Sequence, residues 1–222
     1  MKTIIFSDTH LTDVFDESKF LYLRRIISSA DKVIINGDFW KGTVVDFDDF
    51  ADSKWNKLFP LLLSKQAIYI HGNHDDSFLK QEPALFAVAN MKEHTLKTMK
   101  YTYQITHGDK LTMPNLINKS FTILQRTIDR KLKTHKLSEM KQQNRTKLFG
   151  YPKFKGNIIF NNKIAKNGLK LSEGEILVCG HSHVPTFDIE NQYINDGFVD
   201  FGMAYHLEIT SDGVPRLIKN RL

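Results

Sequence analysis

Hydrophobic positions in this 222-residue chain follow two rhythms, and the alternation between them predicts an α/β fold. Short runs rich in β-branched and aromatic residues read as strands: Thr3-Ile4-Ile5-Phe6, Val33-Ile34-Ile35, Ala67-Ile68-Tyr69-Ile70, residues 101–106 and residues 175–179. Helical spacing takes over between them. Residues 16–30 put Phe20, Leu23 and Ile27 on one face, and residues 46–63 supply Phe47, Phe50, Trp55, Leu58 and Phe59 to a second helix. A third, short helix is expected around 83–89. Beyond residue 175 the pattern is of strands separated by turns at Asn195-Asp196-Gly197 and Ser211-Asp212-Gly213.

The middle of the chain departs from this pattern. Ile117, Phe121, Leu124, Ile128 and Leu132 form one helical stripe, with Lys119, Arg126, Arg130 and Lys133 on another face. Fourteen of the 31 Lys and Arg lie between Lys119 and Lys170, opposed by Asp129 and Glu139 alone, so this segment carries +12 and the rest of the chain −6. That shift marks residues 114–170 as a basic helical insertion within one domain spanning 1–222. Two readings are open: a lid with a solvated basic side, or a functional basic surface on which Arg126 and Arg130 contact substrate. A functional surface would meet a polyphosphate substrate, anionic lipid headgroups or nucleic acid. No protein partner is expected.

A 41% hydrophobic composition is enough for a buried core. The single cysteine, Cys179, excludes an internal disulfide and a cysteine-rich metal site. The first strand begins almost at Met1 and no long apolar stretch appears, so the chain reads as cytoplasmic, with the basic segment able to bring it to the inner membrane face.

Chemistry gathers at the ends of the predicted strands. The motifs are SDTH at 7–10, NGDFW at 36–40, HGNHDD at 71–76, HGD at 107–109 and GHSH at 180–183. They supply seven side chains able to bind metal: Asp8, His10, Asp38, Asn73, His107, His181 and His183. Strand C-termini are where α/β sheets bind ligands, so five such ends delivered to one rim would bring distant motifs together. Imidazole, carboxylate and amide oxygen suit Mn²⁺, Fe²⁺, Zn²⁺, Co²⁺ or Ni²⁺, and the lack of thiolates argues for a catalytic rather than a structural ion. Asp38 is the natural bridge between two cations, which would then activate a water and polarise a phosphoryl oxygen. His71, His94, His135 and His206 match no motif and read as structural.

In this order, DxH, GD, GNHD, HGD and GHxH resemble the calcineurin-like metallophosphoesterase superfamily. The resemblance implies a four-layer α/β/β/α sandwich. It further implies that Asp8, His10 and His183 bind one metal, that Asn73, His107 and His181 bind the other, and that Asp38 bridges them. His74 would then bind the substrate phosphate and protonate the leaving oxygen. Asp75, Asp76 and Asp109 are candidates to orient a ligand histidine through its second ring nitrogen. Lys41 stands where protein phosphatases of the superfamily carry an acid, which argues against that substrate class and makes Lys41 a candidate phosphate contact.

Length, spacing and the position of the insertion also resemble the UDP-2,3-diacylglucosamine pyrophosphatases, although His74 replaces the arginine typical of that group. The expected activity is hydrolysis of a phosphodiester or pyrophosphate by metal-bound hydroxide, with two Mn²⁺ ions as the first choice of cofactor. A nucleotide or nucleic-acid phosphodiesterase is the enzymatic alternative. A non-catalytic scaffold on the same fold is the other alternative, and it would be expected to have lost metal ligands that this chain retains.

Overall fold

The computed structural model describes residues 1–42, 44–75, 82–112, 155–167 and 171–222. Two sheets lie face to face. The first joins β1 (Thr3–Phe6), β2 (Lys32–Asn36), β3 (Ile68–Ile70) and β4 (Ala89–Met91) in parallel, and β1 also pairs antiparallel with β11 (Met203–Ile209). β10 (Val199–Asp200) and β12 (Pro215–Arg221) complete it as partners of β11. The second sheet has the order β5 (Glu93–Lys97), β6 (Thr102–Thr106), β7 (Glu175–Cys179), β9 (Tyr193–Asn195) and β8 (Thr186–Asp188).

Period-two alternation sorts the strand side chains between layers. Ile5, Ile34, Ile68 and Ile70 of the first sheet meet Tyr103, Ile105, Ile176 and Val178 of the second in the central core. The intervening residues Ile4, Phe6, Val33, Ile35 and Tyr69 face outward beneath α1 (Glu17–Ser29), α2 (Phe47–Ala51) and α3 (Phe59–Ser64). On the far side, Leu177, Cys179 and Tyr193 are covered by Ile164 of α4 (Lys155–Asn167). Helices, sheet, sheet and helix make the four layers expected of the fold class.

The first helix falls where its pattern places it, with the Asp16 carboxylate capping the Lys19 N–H at 3.0 Å. The segment 46–63 differs from expectation, being two short helices separated by a 3-10 turn, Lys54–Leu58. Ser53 explains the break, since its hydroxyl donates to the Phe50 carbonyl at 2.5 Å and accepts from Trp55 N at 3.3 Å, capping a new turn; Pro60 then opens α3. Around 83–89 only a 3-10 turn, Glu82–Leu85, forms, and Ala89 already begins β4. The motif-bearing strands are divided between sheets: β1, β2 and β3 belong to one, β6 and β7 to the other. Two rims therefore meet where a single one was expected.

Most of the insertion, including the stripe from Ile117 to Leu132, Arg126, Arg130 and His135, lies outside the described residues, as does Asp76. Among the described residues, no helix is long and apolar enough to cross a membrane.

Candidate metal centre

The motifs after β1, β2 and β7 turn sharply as they leave their strands. Asp8, His10, Asp38, His181 and His183 all have positive φ, between 45° and 61°, a left-handed conformation that non-glycine residues adopt at a cost of roughly 1–3 kcal/mol each. Neighbouring loops hold them there. Asp8 N donates to the Gly37 carbonyl at 3.1 Å and His10 N to the Asp38 carbonyl at 3.0 Å, so the first two motifs run side by side; Gly180 N donates to the His107 carbonyl at 3.1 Å. The glycines make this closeness possible. A Cβ on Gly37 would overlap the His107 ring, and one on Gly72 would overlap the Asp38 carboxylate.

Two clusters result. In the first, His183 Nε2 lies 3.0 Å and His10 Nε2 3.7 Å from Asp8 Oδ1, and the two nitrogens are 3.1 Å apart. In the second, His107 Nε2 lies 3.3 Å and His74 Nε2 4.0 Å from Asp38 Oδ2. Asp8, Asp38 and His107 also approach closely enough to share one ion. The His181 ring packs edge-on against His107, with centroids 5.2 Å apart, and its backbone N–H donates to Asp8 Oδ2 at 2.9 Å. Asn73 is exposed on the adjoining loop.

The electrostatics fit a cation-binding site. Burial alone would raise the Asp8 carboxyl, but His183 and His107 outweigh it and hold it well below the usual carboxylate range. Asp38 behaves alike: burial raises it, while His107 and His74 together pull it lower. Burial lowers His107 and His183, yet the carboxylates they face raise both overall. His10 is depressed by burial and by His74, and His181 falls to about 4 through burial and His107. Two buried carboxylates thus draw compensating positive charge onto two imidazoles, the place divalent ions would take. The His10 Nδ1 atom is buried without a hydrogen-bond partner, and His107 Nε2 meets only Asp38 Oδ2, so ring nitrogens face the site where an ion could be bound. His107 Nδ1 donates to the Asn36 carbonyl at 2.8 Å, and this fixes the tautomer that points a Nε2 lone pair inward when the ring is neutral.

Asp75 supports the loops through backbone. Its Oδ2 accepts from Gly72 N and, at 3.4 Å, from Asp38 N, while burial first and Asp38 second raise its carboxyl to about 7. Asp109 opens the 3-10 turn Asp109–Thr112 directly after the HGD motif. His74 is partly exposed and is lowered by burial, against the pull of Asp38. Lys41 lines a cavity of about 200 Å³ together with His10, His74, His183, Trp55 and Phe201.

Three supporting residues carried no assignment in the sequence. Asp196, fully buried in the Asn195-Asp196-Gly197 turn, accepts from Asn36 Nδ2 at 3.1 Å and lies 2.6 Å from Ser7 Oγ, which is also 2.5 Å from Asp8 Oδ2. One hydroxyl has one proton to give, so a proton on Asp196 completes the arrangement; burial accordingly raises Asp196 to about 7. The available signal was position alone. Ser7 and Asn36 sit inside the SDTH and NGDFW motifs, and Asp196 occupies a turn where an aspartate reads as ordinary turn chemistry.

Among solved structures, the chain is similar to YfcE, a phosphoesterase from E. coli, at 15% identity over 98% of both chains with a TM-score of 0.49. It is also similar to zinc-bound Vps29 from Entamoeba histolytica, at 12% identity over 100% of this chain and 99% of that one, TM-score 0.46. A predicted phosphoesterase from Streptococcus pneumoniae shares 16% identity over 99% of this chain and 97% of its own, TM-score 0.39. No curated protein matches the chain. The family profile for calcineurin-like phosphoesterases matches residues 1–185, a span that contains all five motif loops. The chain belongs to the calcineurin-like phosphoesterase family.

Proposed function

We propose that this chain is a dinuclear metal-dependent hydrolase of a phosphodiester or pyrophosphate bond. The observation that carries the reading is the convergence of two buried carboxylates, Asp8 and Asp38, with imidazoles supplied by both sheets. In this reading Asp8, His10 and His183 hold one ion, Asn73, His107 and His181 hold the other, and Asp38 faces both. Bound divalent ions, with Mn²⁺ the first choice, would supply Lewis-acid charge and make an adjacent water acidic enough to serve as a nucleophile near neutral pH. The chain's own groups do the rest. The loop hydrogen bonds fix the donors, and His74, beside Asp38 and open to the cavity, would pass a proton to the leaving oxygen. Lys41 offers its ammonium to a phosphate in the same cavity.

For substrate we propose a nucleotide-sugar carrying lipid chains, of the UDP-linked diacylated sugar type. Leu11, Val14 and Trp55 give the cavity an apolar side, and the +12 segment at 119–170 suits a polyanionic or membrane-associated ligand.

Chelator-stripped protein should take up two Mn²⁺ per chain and then hydrolyse bis-p-nitrophenyl phosphate, with the UDP-linked diacylated sugar turned over best in a panel that includes p-nitrophenyl phosphate and a short oligonucleotide. Protein that binds no stoichiometric metal and cleaves no phosphoester would refute the enzymatic reading. Better turnover of the oligonucleotide would replace the substrate. His74→Ala should keep its metal while kcat falls by roughly 10²–10³-fold.

A further inference from the structure

The second sheet is covered by α4, the one described piece of the basic insertion, and this helix touches two of the loops that carry histidines. Asn161, at its middle, is 6% exposed. Its Oδ1 accepts from Ser182 Oγ at 3.0 Å and from the Tyr193 hydroxyl at 2.8 Å, and its Nδ2 donates to Thr186 Oγ1 at 3.0 Å. Ser182 is the residue between His181 and His183. Asn195 holds the same loop from the sheet side, donating from Nδ2 to the Gly180 carbonyl at 2.6 Å and to Ser182 Oγ at 3.1 Å. At the end of α4, Asn167 Nδ2 donates to the Leu111 carbonyl at 3.1 Å, in the turn that follows His107.

A loop with two left-handed histidines does not keep that shape by local preference. It needs outside bonds that no relaxed conformation would satisfy. Asn161 supplies one at the central residue, and its burial excludes water from taking over the role. We infer that Asn161 is a positioning residue, which acts through Ser182 to set His181 and His183 for metal, so that the insertion helps determine how tightly the centre binds its ions. This inference rests on the metal-centre reading above. It gives the insertion a role in the site itself, separate from any contact with substrate.

The test is metal binding measured by calorimetry on the chelator-stripped full chain, with Mn²⁺ as the probe. Asn161→Leu should weaken Mn²⁺ binding by about 10–100-fold, the range found for groups that orient metal ligands. Ser182→Ala, which leaves α4 intact and also removes the bond from Asn195, should give at least as large a loss, and the double variant should match Ser182→Ala within about threefold, since the Asn161–Ser182 bond is already absent there. Ile164→Ala loosens the same helix without touching Ser182 and should leave Mn²⁺ affinity within about threefold of the parent. Unchanged affinity in Asn161→Leu, additive losses in the double variant, or an equal loss in Ile164→Ala would each overturn the inference. A parent chain that binds no Mn²⁺ would instead overturn the metal-centre reading.

Discussion

Over the first sheet, twenty-six buried hydrophobic residues among those described make one continuous core, with Phe39, Trp40, Phe50, Tyr69 and Phe86 in mutual ring contact. Among the described residues over the second sheet, Ile164, Leu177, Cys179 and Tyr193 form a smaller cluster, and polar bonds from Asn161 and Asn167 join it to the histidine loops. Apolar burial is strong and tolerant of direction, whereas an amide with three partners is weak in sum and strict in geometry. Among the described residues, the first side contributes the larger apolar core, and the second contributes bonds that position the histidines of β6 and β7. Both deliver their chemistry to the shared rim.

Asp38 joins the two sides, standing on the first-sheet rim and facing His107 from the second. Asp38→Ala should lower kcat/KM by more than about 10³-fold and remove bound Mn²⁺ together, a loss of transition-state stabilisation of about 4 kcal/mol. Assays of activity and metal content on one preparation would show it, and a variant that keeps both would separate Asp38 from the centre. Phe50→Ala, in the middle of the aromatic layer, should cost about 3–5 kcal/mol in denaturant unfolding while the folded fraction keeps its Mn²⁺ affinity. Loss of metal affinity there would break the division of labour between the sides.

Asp196 gives the smallest effect and tests the polar link between the rims. Its folded pKa of about 7 stands above the ordinary 3.8, so between those values the folded chain holds a proton that the unfolded chain lacks. Its contribution to stability is fully present below about pH 4 and is lost as pH rises through 7. Asn at this position keeps the shape and does not ionise. Asp196→Asn should therefore gain on the parent by about 2–3 kcal/mol between pH 5 and pH 8 in the metal-free state, read from urea melts. A constant difference across that range would remove the proton from Asp196.

The strands and the first helix were legible because burial imposes a period, and Ile4 and Ile5 fall on opposite faces as alternation requires. The division of 46–63 into pieces was hidden because Phe47, Phe50, Trp55 and Phe59 remain apolar contacts whether or not the backbone between them is one helix. Asp8, His10, Asp38, His107 and His183 could be read from motifs because metal chemistry limits which side chains serve, and the structure brings them together. Asn161 could not. An asparagine followed by a second asparagine, Asn162, on a helix gains its role only from Ser182 and Tyr193, which are 21 and 32 positions away along the chain.

The left-handed backbone at His10, His181 and His183 bears on how such a chain can change over generations. Glycine or asparagine would relieve the strain at these positions, so drift alone favours their replacement, and a lineage released from catalysis should lose its histidines there before it loses its core. Histidine at all three is what the hydrolase proposed above would require.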